Sequence, residues 1–162
     1  MKRIGFACKY MHSDQSIKKK ALEEIQRPYN TKATTHSWLI KQSSSVAYQK
    51  LEYVIDHNLR SLFNLFEYVG SLDEQLRMVR ISSDILPFYT HPNWKQFYTE
   101  RAKQGYAETF AELRSLIDKY DIKVSYHPGQ FTVLASNKPD VVDRSVEEFE
   151  YHVDMARWMG YG

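Results

Sequence analysis

The segment Val124-Ser125-Tyr126-His127-Pro128-Gly129-Gln130-Phe131 puts a histidine at the end of a short apolar-rich run. Pro128 and Gly129 then break the run into a loop that carries an amide and an aromatic ring. In barrel-type α/β proteins, chemistry sits just beyond the carboxyl ends of the strands. A second segment repeats the design: Met78-Val79-Arg80-Ile81, then Ser82-Ser83-Asp84, then Pro87 and His91. A neutral imidazole is a common ligand for zinc, manganese or iron. Two histidines placed beyond two successive parallel strands, His91 and His127, are therefore candidate metal ligands. Each alone reads sooner as a hydrogen-bonded structural histidine than as a ligand, His91 more so than His127, and it is the pair at equivalent positions that puts the two readings level. No HxxxH or CxxC pair is present, so further ligands would have to come from distant segments.

An amide beside a ring, exposed next to a metal, suits insertion into a base stack. The ring of Phe131 would replace lost stacking and Gln130 would pair with exposed base edges. The plainer reading folds the loop back and buries Phe131 in the core. His152 lies among Glu147, Glu148, Glu150 and Asp154, which reads as a solvated, salt-bridged surface. His12, His36 and His57 stand in no informative context. Ser82-Ser83-Asp84 lacks the G-x-S-x-G surroundings of a nucleophilic serine, so hydrogen bonding of the loop is its expected role. No catalytic residue is assigned.

These side chains need elements to hold them. Arg3 to Cys8 reads as a first strand, with Ile4, Phe6 and Cys8 alternating on one side. Met11 to Gln42 reads as an insertion or long loop, with one or two helical turns at Ala21–Ile25. Its Lys18-Lys19-Lys20 run reads as a solvated face or a phosphate contact. Ser43 to Val69 reads as helix in two pieces, broken near His57-Asn58. Leu59, Leu62, Phe63, Phe66 and Val69 mark the buried face of the second piece. Met78 to Ile81 is the second strand, Thr90 to Tyr120 is largely helical, and Lys123 to Tyr126 is the third strand. The last helix runs from about Lys138 to Met159, with Asn137 as N-cap and Gly160 as C-cap. Its apolar stripe is Val142, Val146, Phe149, Val153 and Ala156.

The order β-α-β-α-β-α predicts an α/β fold with a parallel sheet and covering helices. Three βα units do not close a barrel, and a complete (β/α)₈ barrel needs about 250 residues. The 162 residues read as a single domain, 1–162. At 43% hydrophobic, 26% charged and 14% aromatic, the composition excludes a disordered or collagenous chain. The net charge of +2 does not by itself announce a nucleic-acid binder. A local basic groove remains compatible with it, because affinity follows phosphate contacts rather than net charge. The one cysteine, Cys8, permits no intrachain disulfide and reads as a small buried residue. No apolar run is long enough for a membrane span or signal peptide, so a cytosolic location is expected.

The run Arg80-Ile81-Ser82-Ser83-Asp84-Ile85-Leu86-Pro87-Phe88, then His91, then Ser125-Tyr126-His127-Pro128-Gly129-Gln130-Phe131, resembles the UV damage endonuclease family (UvdE). Arg3 to Cys8 resembles its first strand. Asn58-Leu59-Arg60-Ser61-Leu62 resembles the helix before its second strand, and Asp143-Arg144-Ser145 through Glu150-Tyr151-His152 the helix after its third. The likeness covers nearly the whole chain except Met11 to Gln42, and resembles the amino-terminal half of the family. It implies a TIM barrel, here about its first three βα units. It also implies nicking of DNA on the 5′ side of ultraviolet photoproducts by a divalent-metal cluster, typically manganese. By position, His91 and His127 match two metal-binding histidines. Gln130 and Phe131 match the pair that wedges into the duplex at the lesion. The family's remaining ligands come from later strands, so the resemblance implies a partial site.

Other readings remain open on the sequence. One is a related metal-dependent barrel, such as an apurinic-site endonuclease or a sugar isomerase. Another is a noncatalytic fragment that binds DNA or a partner. A three-unit sheet would also expose a strand edge and an apolar face, so self-association is expected.

Overall fold

The computed structural model describes residues 2–129 and 132–161. Its sheet has three strands: β1 (Phe6–Ala7), β2 (Met78–Ser82) and β3 (Lys123–His127). They lie in the order β1-β2-β3, and both pairings are parallel, as the alternation of elements predicts. In register, Phe6 faces Val79, Val79 faces Val124, and Ser82 faces His127. The carboxyl ends of the three strands therefore lie along one edge. β1 is shorter than the Arg3–Cys8 expected. Ile4 keeps only one backbone tie, to the Gln75 carbonyl, and is 74% exposed rather than part of an alternating buried face. Cys8 is half-buried, at φ 70°, instead of fully buried.

Below the sheet, Arg3 clamps the opposite edge. Its guanidinium donates to the Asp121 carbonyl and carboxylate and reaches the Glu74 carboxylate at 3.3 Å. The Arg3 and Lys123 cations hold the Asp121 carboxyl below its ordinary value. Gly5 is required here, because a Cβ would stand 1.9 Å from the Met78 carbonyl oxygen.

Helix α3 (Ser44–Gly70) is continuous through His57 and Asn58, contrary to the expected break. The polar pair does not interrupt the helix because its side chains bond outward to other segments. His57 Nε2 meets the Asn30 carbonyl at 3.0 Å. Asn58, fully buried, accepts from the Lys32 N–H at 2.7 Å and donates to the Lys32 and Asp84 carbonyls at 3.1 and 2.8 Å. Leu59, Leu62, Phe66 and Val69 do form the buried face. Gly70 lets the Tyr120 ring lie against the helix end, where a Cβ would come within 2.4 Å of it.

The 11–42 segment is partly built. It holds α1 (Lys19–Gln26) and α2 (His36–Leu39), which is capped by Thr35. It is tied back by a reciprocal pair between Asn30 and Tyr10. The Tyr10 N–H donates to Asn30 Oδ1 at 2.7 Å, and Asn30 Nδ2 donates to the Tyr10 carbonyl at 2.9 Å. The expected helix from Thr90 begins later, as α4 (Glu100–Tyr120), with Thr99 as N-cap. Residues before it, around Pro92, form tight turns instead. Phe110, Leu113 and Ile117 bury the inner face of α4.

Helix α5 (Pro139–Trp158) follows Lys138, not Asn137, as its N-cap, and no side chain caps it. Its C-terminus matches expectation. Gly160 is left-handed at φ 74°, and the Tyr161 and Gly160 N–H groups return to the Ala156 and Arg157 carbonyls, a Schellman closure. The buried face differs from the predicted stripe. Val146, Phe149 and Val153 are exposed, whereas Ser145, Tyr151, His152 and Met155 are buried. Both sets step at helical spacing, and the sheet takes the one with more polar members. No helix among the described residues is long and apolar enough to cross a membrane.

Candidate functional site

The strand ends are held by side chains from the helices behind them. Beyond β2, the buried Tyr151 hydroxyl accepts from the Leu86 N–H at 3.0 Å and donates to the Ser83 carbonyl at 3.1 Å. Asn58 holds the Asp84 carbonyl, and the Tyr98 hydroxyl donates to the Pro87 carbonyl at 2.6 Å. The chain then passes through Phe88 at φ 62°, a strained value for an aromatic residue, and reaches His91.

His91 does not stand alone. Its ring lies 4.5 Å, centroid to centroid, from that of His36 on α2, and its Nδ1 accepts from the Asn93 N–H at 3.2 Å. The Asn93 side-chain amide in turn meets His36 Nε2 at 3.2 Å. Burial, then the neighbouring His36 charge, holds the His91 imidazole below its usual pKa, in the neutral form that binds metals.

His127 ends β3 and is exposed, paired in register with Ser82. The loop after it is fastened on both flanks by α5. Gly129 N–H lies 3.5 Å from Glu148 Oε1, and the Val133 N–H donates to Ser145 Oγ at 2.8 Å. Gln130 and Phe131 themselves fall outside the described residues.

The structure corrects one histidine. His152 is 5% exposed, not part of a solvated surface. Its ring packs edge-on against Tyr126, the residue before His127, and against Tyr151. Its Nδ1 lies 2.7 Å from the Glu148 carbonyl, which can only accept, so Nδ1 carries the proton. Nε2 is left buried without a hydrogen-bond partner among the described residues. Glu148, half-buried beside it, has its carboxyl pushed up by burial, against the opposing pull of His152 and the Gly129 N–H. The signal for this face was present in the sequence. Ser145, Glu148, His152, Met155 and Met159 step by three, four, three and four. Its polar members made it look like the outer surface.

As donors for a metal ion, these groups differ. His152 Nε2 is a buried imidazole nitrogen without a partner among the described residues, and the ring orientation is fixed by a carbonyl at Nδ1, as such outer hydrogen bonds fix ligand histidines. His127 is open to a ligand. His91 offers its Nδ1 only by giving up the Asn93 N–H. No group of three His, Cys, Asp or Glu side chains among the described residues is gathered tightly enough to hold a metal ion by itself.

A parallel sheet whose third strand ends in His127, with Glu148 and the buried His152 of α5 packed beside that end, defines an α/β protein with a polar site at the carboxyl edge. The chain belongs to the UV-endonuclease UvdE family, whose family model matches residues 2–161. It is 33% identical over 131 residues to a UV DNA damage endonuclease of Bacillus velezensis, covering 80% of this chain and 38% of that one. It is 30% identical over 111 residues to one of Bacillus mycoides, covering 68% and 33%. The chain thus spans little more than a third of the curated relatives it matches. The crystal structure of SacUVDE has the same fold, with a TM-score of 0.71 and 24% identity, covering 99% of this chain and 47% of that one.

Proposed function

We propose that this chain supplies the amino-terminal part of a TIM-barrel endonuclease that nicks DNA on the 5′ side of ultraviolet photoproducts. The single observation that carries the reading is the family match over residues 2–161. The parallel sheet and its polar carboxyl edge agree with it. A divalent cation, typically manganese in this reading, would activate water for phosphodiester hydrolysis and stabilise the leaving oxygen. His91 and His127 are its proposed ligands, and the free Nε2 of His152 makes that residue a third. Glu148 fixes the His152 ring through its backbone carbonyl and steadies the loop through Gly129. Gln130 and Phe131 are the proposed lesion wedge. A damaged step is already poorly stacked, so entering it costs less than entering intact duplex.

On this reading the chain by itself is a poor nuclease, because a few imidazoles leave a cation mostly bound to water. Irradiated supercoiled plasmid with manganese is expected to stay intact with this chain alone and to be nicked by a complete family member. Nicking by the chain alone at a comparable rate would contradict the proposed division of the site. The exposed Val146, Phe149 and Val153 and the outer edge of β3 also favour self-association of the isolated chain, which sedimentation would reveal.

A further inference from the structure

Outside the strand-end site, α2 and α3 present two exposed rings with two cations held against them. Trp38 is 40% and Tyr53 52% exposed. The Lys50 ammonium lies between them, 5.9 Å from the Trp38 ring centre and 5.3 Å from that of Tyr53. Lys32 sits 4.7 Å from the Tyr53 ring centre and donates to its hydroxyl at 2.7 Å. Among the described residues neither ammonium is paired with a carboxylate. Of the acids nearby on α3, Asp56 pairs with Arg60, and Glu52 makes no ion pair with either lysine among the described residues. The lysines hold the Tyr53 phenol below its usual value, as expected where positive charge is not cancelled.

We infer that Trp38, Tyr53, Lys32 and Lys50 form a second nucleic-acid contact, in which exposed bases of a single or unpaired strand stack on the rings and the lysines meet its phosphates. Stacking is tolerant of sequence because every base has a π-face, and ordered lysines beside aromatic faces supply the charge that complements a phosphate backbone. A purely apolar partner would leave two ammonium groups to be desolvated without compensation. The choice of DNA as ligand rests on the function proposed above, but the contact needs neither a metal nor a lesion.

The test uses the full 162-residue chain, a fluorescent oligothymidine and EDTA, read by anisotropy across a salt series. The unsubstituted chain should bind, and Trp38→Ala should weaken binding about tenfold, as expected for loss of one stacked base. Lys32→Gln combined with Lys50→Gln, both at the surface, should lower the slope of log affinity against log salt by about 1.4 for two lost phosphate contacts. Lys119→Gln, a surface lysine in the last turn of α4, should bind as the unsubstituted chain does. Failure of the unsubstituted chain to bind, or unchanged affinity and slope in the substituted chains, would overturn the inference. Binding that follows the predicted pattern, in a protein whose complete form fails to incise irradiated DNA, would leave this contact standing and remove the endonuclease reading.

Discussion

Replacing Asn58 by leucine is expected to lower the free energy of unfolding by roughly 3 kcal/mol, since each buried backbone group left without a partner costs about 1–3 kcal/mol. The side chain is fully buried and joins three segments. It satisfies both the N–H and the carbonyl of Lys32, and the carbonyls of Asp84 and Ile85. Leucine keeps the same branched heavy-atom skeleton with bulkier ends, so the loss is not that of a cavity. Urea unfolding should show a lower midpoint with an unchanged slope. A loss below about 1 kcal/mol, the net worth of a single ordinary hydrogen bond, would mean that Asn58 does not hold the loop after β2. The effect bears on function because this loop leads through Phe88 to His91.

The second large effect separates two roles in a complete barrel containing this half. His127→Ala should abolish incision mainly through loss of metal, because its imidazole is proposed to bind the cluster directly. Phe131→Ala should leave the metal content unchanged and weaken selection of damaged DNA. Base–aromatic stacking is worth about 1–3 kcal/mol by alanine substitution, so the affinity for irradiated duplex should fall roughly ten- to hundredfold. Metal analysis and binding to irradiated and intact duplexes read both. If Phe131→Ala bound lesions normally, or lost metal as His127→Ala does, the separation of roles would fail.

The alternation of elements was legible because each strand is short and apolar and each helix has a clear buried stripe. The family likeness was legible from the loops after β2 and β3. What was not legible depends on partners distant in sequence. The His57-Asn58 pair looks like a helix break until Asn30, Lys32 and Asp84 are placed beside it. The α5 stripe of Val146, Phe149 and Val153 looks like the core face until Tyr151 and His152 are seen to bond and pack behind the strand ends. A polar side chain facing the sheet makes sense only where the sheet edge is itself a site, and that juxtaposition is tertiary. His36 offered no local context because its neighbour, His91, lies 55 positions on, as their numbering shows.

The central claim is that the histidines at the carboxyl edge of this sheet bind a divalent cation. It is tested most directly by titrating the chain with manganese and following the histidine ring protons by NMR, where the paramagnetic ion broadens the resonances nearest to it even when it is weakly held. At neutral pH the account predicts that His127 and His152 broaden first and His91 with them, while His12 and His57, which bond to Tyr10 and Asn30, keep their line widths. Equal broadening of all six histidines, or broadening that spares His127 and His152, would contradict it.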